Sequence, residues 1–221
     1  GLQNQSVLYV KEDIDDSDSL ASVVIDPNKF SKDGTVALSG IYFSNHNNYL
    51  GYSISKSGSD WREFYVKNLS TGKDLNDHLK WIKFSGMSWS GDGFYYNAFP
   101  IPEEGKELSQ ANQSSKVYYH KLGTVQDEDI LIFSDIDNPK ISPYSSTTSD
   151  GRFLMIYRTK GTYGNSLMVK DLDQPGSRFI TVINDYKSET SVVDHINGKL
   201  LAITDRNAGK KKVVLIDIKN P

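Results

Sequence analysis

The stretch 83-KFSGMSWSGDGFYYNAFP-100 decides the fold. Phe84, Met87 and Trp89 mark a short apolar strand. Ser90-Gly91-Asp92-Gly93 is a tight turn, and Phe94, Tyr95, Tyr96 and Phe99 make a strongly aromatic second strand. Gly-Asp-Gly supplies the positive-φ positions that a hairpin turn needs. Aromatic residues at successive positions fit a strand packed on both faces.

Working outward, the same grammar of short strands and polar turns covers the chain. Upstream are strand-like runs at 6–11, 22–26, 36–41, 50–54 and 61–67, with turns at Ser31-Lys32-Asp33-Gly34, 45–48 and Ser57-Gly58-Ser59-Asp60. The polar stretch 74–79 reads either as one helical turn or as a short strand. Downstream, 100–115 is rich in Pro, Glu, Gly, Gln and Ser without periodicity, and is expected to be a long exposed loop. Further strands are expected at 116–121, 130–133, 153–157, 166–170, 179–183, 200–204 and 213–218. No segment sustains a 3.6-residue period, so the chain reads as nearly all β.

One strand ending recurs: Val24-Ile25-Asp26-Pro27, Val66-Lys67-Asn68-Leu69, Tyr119-His120-Lys121-Leu122, Val169-Lys170-Asp171-Leu172 and Leu215-Ile216-Asp217-Ile218, at intervals of 42, 53, 50 and 46 residues. A turn recurs upstream of it, as Ser31-Lys32-Asp33-Gly34, Ser90-Gly91-Asp92-Gly93, Ser149-Asp150-Gly151 and the plainer Asn197-Gly198. A period of about 40–50 residues with four short strands per unit is the pattern of a β-propeller. A single blade cannot bury both of its faces, so blades must stack. An irregular β-sandwich is the competing architecture, but does not account for a turn and a strand ending that recur together. Four intervals correspond to four to five blades of four antiparallel strands. The sequence enters and leaves the repeat part-way, which predicts an incomplete arc of a larger propeller. Bare edges at its ends would invite edge-to-edge self-association.

Composition narrows the function classes. The chain has 221 residues, 11% of them aromatic, and a formal charge of −3. That balance offers no bulk attraction for nucleic acid, and Lys210-Lys211-Lys212 reads as a solvated strand end. There is no cysteine, which removes disulfides, thiolate catalysis and cysteine-ligated metals. No apolar window is long enough to span a membrane, and no signal peptide is visible. Gly1 stands in place of a methionine directly before a strand-like run, as in a cut chain, so that absence carries no weight. The acidic run with Asp13, Asp15, Asp16 and Asp18 begins like a calcium loop. Asp18 stands where glycine is required and Val24 where a bidentate glutamate is required, so a solvated hairpin loop is the better reading.

Chemistry is sparse. The nearest approach to a nucleophile elbow is Gly86-Met87-Ser88-Trp89-Ser90, which lacks the final glycine and leads into a hairpin instead of a helix. His46, His78, His120 and His195 show neither metal-ligand spacing nor a triad context. No phosphate loop is present. The sequons at Asn4, Asn68 and Asn112 are unsurprising in a chain rich in Asn and Ser.

Several segments in order resemble the propeller domain of the prolyl oligopeptidase family: 1-GLQNQSVLY-9, Asp26-Pro27-Asn28, 33-DGTVAL-38, 57-SGSDW-61, 84-FSGMSW-89, 95-YYNAFP-100, 116-KVYYHKLGT-124 and Asp127-Glu128-Asp129. The likeness is strongest up to Phe133. It implies that residues 1–221 are most of a seven-bladed propeller covering an α/β-hydrolase domain that holds the Ser-Asp-His triad and lies outside this chain. The implied activity is serine-type cleavage of short peptides after proline, with the propeller admitting only small substrates and contributing no catalytic residue. Matching segments place Tyr95, Ser142 and the region of Arg158, Gly161 and Thr162 along the distal substrate pocket. The implied partners are that hydrolase domain and short proline-containing peptides, without cofactor, metal, nucleic acid or membrane. The compartment, cytoplasmic or periplasmic, is left open. Two other readings are a stand-alone propeller used for protein interaction and a five-bladed enzyme with paired axial carboxylates.

Overall fold

The computed structural model describes residues 3–11, 13, 15, 17 and 20–221. Gly1 and Leu2, and the Asp16 and Asp18 of the calcium-loop reading, fall outside the described residues. The chain folds into antiparallel strands in four sheets. The first is a two-stranded hairpin of β1 (Leu8–Val10) and β2 (Ser22–Ile25). The second has eight strands: β3 (Val36–Phe43), β4 (Tyr49–Lys56), β5 (Arg62–Asn68), β6 (Asp74–Ile82), β7 (Ser88–Ser90), β8 (Gly93–Ala98), β9 (Lys116–Lys121) and β10 (Ile130–Ser134). It is two four-stranded blades, β3–β6 and β7–β10, joined by the single pair Ile82 with Ala98. The third blade is β11 (Ser142–Thr147), β12 (Phe153–Thr159), β13 (Asn165–Asp171) and β14 (Ile180–Ile183). The last sheet has three strands, β15 (Thr190–Ile196), β16 (Lys199–Thr204) and β17 (Lys212–Ile216).

The arrangement is that of propeller blades placed side by side. Leading strands of successive blades are stitched together: the Trp89 indole donates to the Tyr42 carbonyl at 3.0 Å, Ser88 to Ser145 at 3.0 Å and Thr147 to Trp89 at 2.9 Å. Between blades lie apolar layers. Phe64, Leu79, Ile82, Trp89, Phe94 and Tyr96 fill the first. Tyr95, Val117, Leu154 and Ile156 fill the second, and Met155, Tyr157, Leu167, Val192 and Leu200 the third. All six residues of β8 are buried, as the aromatic run at 94–96 predicts for a strand covered on both faces.

The turn of the opening stretch works differently from its sequence reading. Gly91 has φ of 61°, a left-handed conformation, but Gly93 does not. Gly93 is needed for space: a Cβ there would lie 2.0 Å from the His120 carbonyl oxygen. Phe84 is not in a strand either; the apolar strand reduces to β7, and Phe84 is 72% exposed.

The structure also corrects the phase of the first repeat. The recurring ending falls on β5, β9, β13 and β17, each third in chain order within its blade. Val24-Ile25-Asp26-Pro27 falls instead on β2, which is followed by a link between blades and so takes the fourth place. Likewise, the turn matching 90–93 in the β3–β4 blade is 44–48, while Ser31–Gly34 lies in the inter-blade link. The two misplaced segments share only short, common residue patterns with the true repeats. The stretch 74–79 is strand, the start of β6.

Candidate functional site

The strands β11 and β12 pair so that Ser142 lies opposite Thr159 and Pro143 opposite Arg158. Ser142 is exposed, and its carbonyl accepts from the Thr159 hydroxyl at 3.5 Å. Arg158 is held at both ends of its guanidinium, with Nη1 2.8 Å from the Asp135 carboxylate and Nε donating to Ser166 Oγ at 3.1 Å. A half-buried guanidinium fixed in this way keeps a defined direction. Gly161 and Thr162 form the exposed turn that leaves β12 and line a cavity of about 350 Å³, with Tyr144, Tyr163, Glu189 and Lys211 on its other walls. Lys211 pairs with Glu189 at 2.9 Å, and the Tyr163 hydroxyl donates to Asp205 at 2.8 Å. Burial, and secondarily the charge of Glu189, push the Tyr144 hydroxyl above its ordinary value, so it stays a neutral donor. The cavity thus offers hydroxyl, ammonium and carboxylate groups around small turn residues.

Tyr95 is not part of this cavity. It is 7% exposed, packed with Val117, Leu154 and Ile156, and its ring centroid lies 4.8 Å from that of Tyr119. Its phenol is raised by burial. It supports β12 from beneath, within the layer between the second and third blades.

A second group is not apparent from residue pattern. Trp81 and Phe84 have φ of 59° and 54°. For bulky residues these are outliers, and such strain concentrates where function over-determines the backbone. Trp61 packs edge-on against Trp81 and Phe99 at 5.6 and 6.4 Å, and the Lys83 ammonium lies 5.1 Å over the Trp61 ring. The amide of Asn97 donates to the Phe84 carbonyl at 3.3 Å, holding the backbone at that strained position. The loop 100–115 ties this corner to the link that precedes β11. The Trp61 indole donates to the Glu107 carbonyl at 2.7 Å, the Ser114 N–H to the Pro139 carbonyl at 2.7 Å, and Asp135 of the same link holds Arg158. Sequence pattern alone places Phe84 among core residues, because an aromatic residue before a strand carries no mark of exposure.

The polar clusters do not assemble a nucleophile. Ser88 Oγ is engaged with the Ser145 carbonyl inside the stitched leading strands. Ser149, Asp150, Asp194 and His195 do converge. However, the Ser149 hydroxyl donates to Asp194 at 2.6 Å while the imidazole meets Asp150 at 2.7 Å, so serine and histidine are not joined as nucleophile and base. One ligand atom each from Asp150, Asp194 and His195 lies within 4.8 Å of the others. This is the one described set with the spacing to meet a cation, and its carboxylates are already occupied by these hydrogen bonds. His78 stacks on Tyr65 at 4.5 Å and pairs with Glu63 at 2.8 Å. His120 is buried between Asp77 and Asp129, at 3.0 and 2.7 Å. Among the described residues no helix is long and apolar enough to cross a membrane.

Comparison with known proteins agrees with this architecture. The family described as prolyl oligopeptidase, N-terminal beta-propeller domain, matches residues 1–221. A prolyl endopeptidase of Elizabethkingia meningoseptica is 40% identical over 222 residues, covering 100% of this chain and 31% of the relative. The dual function macrocyclase-peptidase POPB of Galerina marginata is 31% identical, covering 99% of this chain and 33% of the relative. The solved structure of prolyl oligopeptidase B from the same fungus, a variant bound to a 35mer hydrolysis and macrocyclization substrate, superposes with a TM-score of 0.89 at 30% identity, over 100% of this chain and 34% of that one. The chain therefore spans about a third of the length of the relatives it matches.

Proposed function

The chain belongs to the prolyl oligopeptidase family, as its N-terminal β-propeller domain, and from that premise we propose that it is the non-catalytic part of a serine-type endopeptidase that cleaves short peptides after proline. In this reading an α/β-hydrolase domain elsewhere in the polypeptide supplies the Ser-Asp-His triad, and the propeller covers it. The observation that carries the reading is the match of the family along all 221 residues. Size selection is steric: rigid stitched blades leave room for an extended peptide and exclude a folded protein. The wall contributed by this chain is the surface of Ser142, Arg158, Gly161 and Thr162, continued by the strained aromatic corner at Phe84. Tyr95 acts on it from behind, by fixing the position of β12.

Two measurements test this. The isolated chain is expected to release nothing from a short chromogenic peptide carrying proline before the scissile bond, while the whole enzyme cleaves it; cleavage that rises with the concentration of the isolated chain overturns the reading. In the whole enzyme, Arg158→Ala is expected to lower kcat/KM about tenfold, the loss of one charge-assisted contact of ~1.5 kcal/mol. Unchanged kinetics would remove Arg158 from the substrate wall.

A further inference from the structure

We propose that Asp135 is a positioning residue for the peptide: it aims the Arg158 guanidinium and cancels its charge, so that this part of the wall takes the uncharged backbone of a peptide instead of attracting a negative end. This rests on the reading of Arg158 as part of the substrate wall, and adds what holds that side chain and which peptides it favours.

Asp135 is the first residue after β10, in the link to β11. Its side chain is 9% exposed and that of Arg158 21%. A carboxylate this deep needs partners for its oxygens. It has one for each: Oδ2 accepts from Arg158 Nη1 at 2.8 Å, and Oδ1 from the Asn138 side-chain amide at 2.9 Å. The link is itself fixed. The Ile141 N–H donates to the Asn138 carbonyl at 3.0 Å, and Ser114, at φ of 59°, turns its N–H onto the Pro139 carbonyl at 2.7 Å. Ser166 is buried, lies opposite Arg158 in the pairing of β12 with β13, and accepts from Nε. The guanidinium is thus gripped from two elements, the link and β13. One edge remains: Nη2 makes no hydrogen bond among the described residues.

Grip and charge act together. A guanidinium is planar, so fixing Nε and Nη1 also fixes the direction of Nη2. Its charge is offset by a carboxylate 2.8 Å away, and a ligand reached by Nη2 meets a dipole instead of a bare cation. Such a group donates to a peptide carbonyl and gains little extra from a carboxylate.

The test uses the whole enzyme and two short chromogenic peptides with proline before the scissile bond. They are identical except for an amino-terminal acetyl or succinyl block, the latter ending in a carboxylate. Asp135→Asn preserves shape, but an amide presents one acceptor oxygen, so it can serve Arg158 or Asn138 and not both. It is expected to raise kcat/KM for the succinyl peptide relative to the acetyl peptide about fivefold at low salt, through KM with kcat unchanged, and to lose that preference at high salt. Asp135→Glu, which restores the charge, is expected to return the ratio to the parent value. Arg158→Gln leaves the carboxylate uncompensated and is expected to move the ratio about fivefold the other way, so the sign is readable even if Asp135→Asn fails to fold. An unchanged ratio in folded Asp135→Asn, or an equal loss on both peptides as a purely structural tie would give, overturns the proposal and leaves Arg158 on the wall provided that Arg158→Ala is impaired. If Arg158→Ala is unimpaired, the wall reading and this proposal fall together.

Discussion

His120→Ala is expected to lower the unfolding free energy of the chain by about 3–5 kcal/mol, the usual cost of removing one partner from a buried charged pair. Burial by itself would depress the imidazole, but hydrogen bonds and charge from Asp129 and Asp77 overcome it and raise its pKa to about 9. The cation so formed joins β9 to β6 of the preceding blade through Asp77. Asp129 also accepts from the Tyr96 hydroxyl at 2.6 Å, and Asp77 accepts from the Gly123 N–H at 2.7 Å. Alanine would leave two carboxylates buried side by side with no cation between them. The pH dependence has a definite sign. A folded-state value raised from 6.5 to about 9 contributes stability that is complete below pH 6.5 and is lost as pH rises through about 9; the shift corresponds to ~3 kcal/mol. Asp77 is held below the usual carboxylate range: burial opposes ionisation, but the His120 and Gly123 hydrogen bonds outweigh it. Its share is present above the ordinary aspartate value and is lost on acidification. Urea midpoints measured from pH 6 to pH 10 should fall through that window in the parent chain and stay nearly flat in His120→Ala. Parallel pH profiles in the two proteins would remove the network from the stability of the fold.

Phe94→Ala is expected to cost a similar amount, about 3–5 kcal/mol. Phe94 is fully buried and is the hub of the first inter-blade layer, with ring centroids at 5.2 Å from Trp89, 6.4 Å from Phe64, 6.1 Å from Tyr96 and 5.2 Å from His120. These edge-on rings cannot collapse into the vacated volume without giving up their mutual geometry, so most of the cavity should persist. Because the Phe94 and His120 rings touch, the double variant should lose less than the sum of the singles. The check is the denaturant midpoint at unchanged slope. A loss below about 1 kcal/mol, the level of an average substitution, would mean that the layer repacks freely.

Much of this architecture is legible in the order of residues alone, and the reasons are local. The run 94–96 is aromatic at successive positions, which only a strand covered on both sides tolerates, and β8 is such a strand. Spacing and turns report the blades because a propeller repeats one local unit. Phase at the start is hidden because β2 ends in Ile-Asp as the third strand β17 does, and only strand neighbours distinguish the two. The 74–79 segment is ambiguous because its inward residue at Asp77 is a carboxylate, which hides the period of two. That aspartate is buried for the sake of His120, 43 residues away, and no local pattern reports such a pairing. At the surface, the turn at Gly161 and Thr162 announces itself by composition, whereas the strain at Trp81 and Phe84 arises from how two blades are joined and leaves no trace in residue type.

The single backbone pair between Ile82 and Ala98 makes two blades one ladder, whereas no ladder pair joins the later blades to their neighbours. The arc is therefore mechanically uneven. Its first two complete blades share one backbone pair in addition to their packing, so their seam is expected to open less readily than those that follow. The seams before β11 and before β15 are held by side-chain hydrogen bonds and apolar packing, which can slide or part without breaking a ladder.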